Sequence, residues 1–218
     1  MAEKTILYGY KMTHDTGFAP NPYHGVLTLA TCKPRIRKCA KEGYWISGWT
    51  SNEVFDKKYK KHYFTDDSQK LIYLAKVKNV ITFDDYWNEN EKVYSLKKQP
   101  TKSIKGGKEC FKSCANKILT KNEDISFCGD NIYEPDIKSA LGFKQHDNPH
   151  HGEKEKERDL SGEHVLVCEK FYYFGVENAI EIKKHVVHRW KKFSIDEGQK
   201  IIDFVTKNYS EGLYPKKI

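Results

Sequence analysis

The apolar residues of this chain come in short, strand-length runs, and only near the C-terminus do they form a long helical stripe. Thr5 to Met12 places Ile6, Tyr8, Tyr10 and Met12 on alternate positions, and a period of two marks a strand. Val26–Ala30, Tyr44–Trp49, Leu71–Thr82 and His164–Phe174 read as further strands. His14 to His24 is a loop, because Gly17, Pro20, Asn21 and Pro22 favour turns there. Helices are signalled by their ends. Pro34 suits the first turn of a helix running to about Lys41. Thr82 caps a short helix opening at Phe83. Ser194-Ile195-Asp196-Glu197 is a capping box, and its helix carries Ile195, Ile201, Ile202, Val205 and Tyr209 on one face. Lys97–Lys108 reads as a basic loop, Glu109–Leu119 as a short helix, Cys128–Pro135 as strand and turn, and Gly142–Gly162 as a long exposed loop. The expectation is an α+β fold, a curved mixed sheet or barrel with surrounding helices. With no internal repeat or linker, residues 1–218 are expected to form a single domain.

A chain of 218 residues buries roughly 70% of its unfolded surface and needs no staple. Six cysteines without an export signal read as reduced thiols, so a cytoplasmic location is expected. No apolar run has the length of a membrane span. The formal charge of +8 favours phosphate-bearing partners, a nucleotide or nucleic acid, although a solvated lysine surface has the same composition. Arginine occurs only at 35, 37, 158 and 189.

Three segments could carry chemistry. Thr31-Cys32-Lys33-Pro34-Arg35-Ile36-Arg37 opens a helix with three cations, an arrangement that suits a phosphate, and Cys32 there is a candidate nucleophile. Cys128-Gly129-Asp130-Asn131-Ile132-Tyr133, taken with His146, His150, His151 and Asp159, supplies imidazoles and carboxylates for acid–base work. Cys110 and Cys114 lie four apart, but no second tight pair completes a metal spacing, and neither a metal site nor a cofactor motif is expected. The aromatic residues Tyr44, Trp45, Trp49, Tyr172, Tyr173 and Phe174 could stack on a base or simply fill the core. The basic stretch His185–Lys192 could touch phosphate or form a surface strand.

Four of these stretches together resemble the nucleotide modification associated domain 2 family of bacteria and phages. They are His14–Pro22 continuing through Thr28–Arg37; Gly43–Gly48; Gly129–Tyr133 followed by His150-His151 and Asp159; and Phe171–Gly175. The resemblance implies a role beside enzymes that make or recognise modified nucleotides, and it points to Asp15, Asn21, Cys32, Lys33, Arg37, Asp130, Asn131, Tyr133, His151 and Asp159. The succession of strand, basic helix and aromatic strand also resembles PUA-like β-barrels. The leading expectation is recognition of a nucleotide or modified base. Lys33 and Arg37 would hold phosphate, Asp130 and Asn131 would bond a base or sugar, Trp45 or Tyr133 would stack, and His150 and His151 would close the site. The alternative is an enzyme acting on nucleotides, a hydrolase or base-modifying transferase with His151 and Asp159 as acid–base groups and Cys32 as nucleophile.

Overall fold

The computed structural model describes residues 5–13, 15–50, 55–56, 61–62, 69–89, 92–98, 129–148, 150–176, 178–182 and 189–214. The chain divides into two compact units: Met1–Asp15, Glu42–Val77 and Glu169–Ile218 make the first, Thr16–Lys41 and Lys78–Cys168 the second. The expected helix at 109–119, the cysteines at 110, 114 and 128, His14, and 183–188 lie outside the described residues.

The first unit is built on a seven-stranded mixed sheet. Its strands are β1 (Leu7–Met12), β3 (Trp45–Thr50), β6 (Lys70–Lys76), β11 (Lys170–Tyr173), β12 (Ile180–Glu181), β13 (Trp190–Lys192) and β14 (Gly212–Leu213). The order is β13-β1-β3-β6-β11-β14, with β12 also pairing β6. β1 runs parallel to β3 and β11 to β14, and the remaining pairs are antiparallel. One sheet face carries Leu7, Trp45, Trp49 and Leu74, which pack with Ile201, Ile202 and Val205 of helix α5 (Ile195–Asn208). Ser194 and Glu197 form the expected capping box at the start of that helix, a device worth ~1 kcal/mol. A hairpin of β4 (Phe55–Asp56) and β5 (Lys61–His62) belongs to the same unit.

The second unit has a three-stranded antiparallel sheet, ordered β2 (Leu27–Leu29), β10 (His164–Cys168) and β7 (Asn79–Thr82). A hairpin of β8 (Tyr133–Pro135) and β9 (Phe143–Gln145) and four helices complete it: α1 (Pro34–Cys39), α2 (Phe83–Asn88), α3 (Lys92–Leu96) and α4 (Glu153–Leu160). Thr82 caps α2 with Asp85 as its reciprocal partner. The core contains Phe18, Ala30, Phe83, Tyr86, Tyr94, Ile132, Tyr133, Val165 and Val167.

The α+β expectation holds, with a mixed sheet and no closed barrel among the described residues. Three readings change in detail. Leu71–Thr82 is two strands, because Val77 donates to the Tyr44 carbonyl while Lys78 donates to that of Val167. His164–Phe174 likewise divides at Glu169, with Cys168 paired to Leu27 and Lys170 to Lys76. The segment expected as an exposed loop, Gly142–Gly162, contains β9 and α4. Glu155 starts α4 by accepting the Gly152 N–H at 2.9 Å. No helix among the described residues is long and apolar enough to cross a membrane.

Candidate active site

Cys32 stands on the turn between strand β2 and helix α1, in a left-handed conformation with φ 57°, and Lys33 follows with φ 40°. A non-glycine residue there costs about 1–2 kcal/mol, so two in succession require firm support. That support comes from both sides of the cysteine. Its N–H donates to Asp159 Oδ1 at 2.8 Å. Its carbonyl accepts from Arg37 Nε at 2.8 Å. Arg37, with none of its surface exposed, also donates to the carbonyls of His164 and Asp159. Burial lowers the Arg37 pKa to about 10, against the pull of Asp159 and Cys32, so the guanidinium stays charged at neutral pH. Gly162 makes room for it: a Cβ at 162 would meet the guanidinium carbon at 2.3 Å. One buried cation therefore ties the turn holding Cys32 to the end of α4.

His151 completes the site. Its Nε2 lies 3.4 Å from the Cys32 sulfur and its Nδ1 lies 2.5 Å from Asp159 Oδ2. Burial disfavours the imidazolium, but the bonds to Asp159 and Cys32 outweigh it and carry the pKa up to about 9. Asp159 is fully buried. Its burial favours the neutral acid, yet His151, the Cys32 amide and Tyr133 together hold it below the ordinary carboxylate range. Tyr133 donates to Asp159 Oδ2 at 2.9 Å, and burial and the adjacent carboxylate push its own pKa up. Asn148 receives the N–H groups of both His150 and His151 on Oδ1, and Gln145 donates to the His151 carbonyl at 2.8 Å. His150 stacks on Phe18 with ring centroids 4.5 Å apart. Burial and the charge of His151 lower its pKa to about 4, so it is neutral. Two adjacent histidines are thus held in opposite protonation states. The sulfur, the imidazole and the carboxylate line up so that one ring nitrogen can exchange a proton with the sulfur while the carboxylate holds the other.

A family model described as nucleotide modification associated domain 2 matches residues 4–211. The chain belongs to that family. No curated protein and no solved structure matches it.

The family motifs serve two different clusters within the second unit. Cys32, Arg37, Tyr133, His150, His151 and Asp159 assemble as described, with Lys33 next in the turn. Asn21, Asp130 and Asn131 instead join a buried network with Lys97, Thr28 and Tyr86. Lys97 Nζ donates to Asn21 Oδ1 at 2.6 Å and to the carbonyls of Asn21 and Val26, both at 3.1 Å. Asp130 accepts from Thr28 and Tyr86, each at 2.7 Å, and Asn131 donates to the Tyr86 carbonyl at 2.7 Å. Burial raises the Asp130 pKa, opposed first by Lys97, and lowers that of Lys97 to about 8, opposed first by Asp130. Asn21, Asp130 and Asn131 expose 2% or less of their surface. Asp15 and Trp45 belong to the first unit. There Asp15 accepts from the Tyr173 hydroxyl and the Val176 N–H, and Trp45 packs in the core with Leu7 and Trp49.

Cys32, His151 and Asp159 offer three ligand atoms within 4.8 Å of one another, as a metal site would. Both Asp159 oxygens, however, already receive hydrogen bonds, one from the Cys32 N–H and the other from Tyr133 and His151. Among the described residues, these three side chains are thus engaged with one another and with Tyr133.

Lys97 and Tyr86 went unnoticed in the sequence, since an isolated lysine in a basic run reads as surface. Asn148 and Gln145 carried no signal either. The spacing of polar residues in a loop does not show which backbone groups they hold.

Proposed function

We propose that this chain is a thiol-dependent hydrolase or acyl transferase acting in nucleotide modification, with Cys32 as nucleophile, His151 as general acid and base, and Asp159 as the group that orients His151. The observation that carries the reading is the bridging imidazole, one nitrogen on the sulfur and the other on a buried carboxylate. The left-handed turn at Cys32 supports it independently, because strained backbone between a strand and a helix is how nucleophiles are presented in hydrolases of several kinds.

The sequence of events follows from the geometry. The thiolate is the form that attacks, and His151 Nε2 is placed to exchange a proton with the sulfur. The sulfur adds to a carbonyl carbon, and the C=O electron pair moves onto oxygen. As that pair returns, the bond to the leaving group breaks and His151 Nε2 gives it a proton. This leaves an acyl thioester on Cys32 and a neutral imidazole. Water, or an acceptor hydroxyl or amine, then loses its proton to Nε2 as it attacks the thioester, and the thiolate is restored. Asp159 keeps Nδ1 protonated and the ring in plane throughout, and Tyr133 and the Cys32 amide keep Asp159 in place.

An acyl-transfer probe tests this without knowledge of the natural substrate. Treated with p-nitrophenyl acetate, the protein gains an acetyl group on Cys32, mapped by peptide mass spectrometry, while the exposed Cys39 supplies an internal reference. His151→Ala slows acylation of Cys32 by about 10²-fold or more. Equal acylation of Cys32 and Cys39, or no effect of His151→Ala, removes the assignment.

A further inference from the structure

Sγ of Cys32 and Nε2 of His151 stand 3.4 Å apart, and in acyl transfer only a proton passes between them. A thiolate and a neutral imidazole are also the donors that zinc takes, through Zn–S bonds of about 2.3 Å and Zn–N bonds of about 2.0–2.1 Å. At a tetrahedral angle those bonds set the two donors about 3.5 Å apart. An ion bridging Cys32 and His151 therefore seats with little change in their separation. No spacing rule could show this pair, since its members lie 119 residues apart in sequence.

Asp159 supplies what a ligating imidazole needs behind it. Its Oδ2 holds Nδ1 of His151 at 2.5 Å, as carboxylates hold the histidines of metal sites. Nε2, the nitrogen facing the sulfur, is then the one that gives up its proton to an ion. The carboxylate is itself pinned by the Tyr133 hydroxyl at 2.9 Å and the Cys32 N–H at 2.8 Å. Asn148 Oδ1 receives the His151 N–H at 2.7 Å, so both ligands are held before an ion arrives. Cys32 and His151 are half-buried, not sealed from solvent. The donor types choose the ion: sulfur with imidazole suits zinc and similar soft or borderline cations, whereas magnesium and calcium take oxygen.

We infer that Cys32 and His151 form a chelating site for zinc or a similar thiophilic divalent cation, with Asp159 behind the imidazole, and, resting on the nucleophile reading, that the bound ion switches the thiol off. The ion replaces the single proton held between Sγ and Nε2, which is released to solvent. The electron pairs that bind it are the ones that would attack the substrate and take up the proton of water. Among the described residues the ion draws on two protein donors instead of the four of a closed structural site, so it exchanges with the medium and the block is reversible.

The ion can be detected through the thiol it covers. The full-length protein is alkylated with iodoacetamide at free zinc concentrations set by a chelator buffer, and rates at Cys32 and at the exposed Cys39 are read by peptide mapping. Half-protection of Cys32 is expected at about tenfold lower free zinc than that of Cys39, because two donors act together. His151→Gln should remove the difference, and magnesium at the same concentrations should protect neither thiol. Zinc should also halt acetylation of Cys32 by p-nitrophenyl acetate over the range in which it protects, and a chelator should restore it. Equal protection of the two thiols, a difference that survives His151→Gln, or equal protection by magnesium overturns the ion site and leaves the nucleophile standing. Protection from iodoacetamide without loss of acetylation overturns the block. If Cys32 is not acetylated even without zinc, the nucleophile reading and the block fall together, and His151-dependent protection then upholds the ion site alone.

Discussion

The second unit holds two polar clusters that draw on the same sequence motifs and differ in almost every physical respect. Around Lys97, Asn21, Asp130, Asn131 and Tyr86, every described side chain is buried. The ammonium has three oxygen acceptors and the carboxylate two hydroxyl donors. Around Cys32, His151 and Asp159, the cysteine and the histidine are only half-buried, the backbone at Cys32 is strained, and a histidine is kept charged beside a thiol. The first arrangement is what a fold requires of polar groups it must bury. The second holds a half-buried thiol and imidazole on a turn whose backbone is strained. Polar residues in a shared motif therefore divide by accessibility and strain, and these two criteria select Cys32, to which His151 and Asp159 are joined, over Asn21, Asp130 and Asn131.

The contrast can be broken most forcefully at Lys97. Lys97→Met should cost about 3–5 kcal/mol, because Asp130 is left buried without its counter-charge, and thermal unfolding should fall by roughly 10 °C. Cys32→Ser should stay within about 1 kcal/mol of the parent while abolishing acylation. If the two substitutions had equal effects on stability, the division into structural and chemical clusters would be wrong. The next effect is a pH dependence. Folding raises the His151 pKa from an ordinary 6.5 to about 9. The stability it contributes is complete below 6.5 and is lost as pH rises through about 9. Over that interval the parent should lose more stability in denaturant titrations than His151→Asn, and parallel curves would show that the ring is not held charged. A shift of similar size and opposite sign falls at His150, whose pKa folding lowers to about 4. Its penalty grows as pH falls from 6.5 toward 4, so His150→Phe should be less sensitive to acid than the parent over that range.

What the sequence disclosed followed from how local each signal is. The capping residues Thr82 and Ser194 act on amides three positions away, so both helix starts could be read directly. Helix α4 could not, because Glu153–Leu160 is almost entirely charged and shows little apolar periodicity. The divisions at Val77 and Cys168 depend on which distant strand supplies the next hydrogen bond, information that no window of neighbouring residues contains. The candidate site was legible as a set of residue types. Cys32, His151 and Asp159 were each singled out, but their alignment needs the two turns of α4 to bring Asp159 back toward His151. The placement of Asn131 and Asp130 beside a base assumed that polar motif residues face a ligand. Here they face Tyr86, Thr28 and Lys97 instead.

The close approach of Arg37 to Gly162 ties two positions of the chain to a common fate. Any side chain at 162 would occupy the space of the guanidinium, and loss of the guanidinium would release three carbonyls at once, including that of Cys32. A change at either of these sites must be accompanied by a change at the other or by loss of the Cys32 turn's anchor. A glycine far from the sulfur in sequence thus becomes a marker of whether the shape of that turn can be kept.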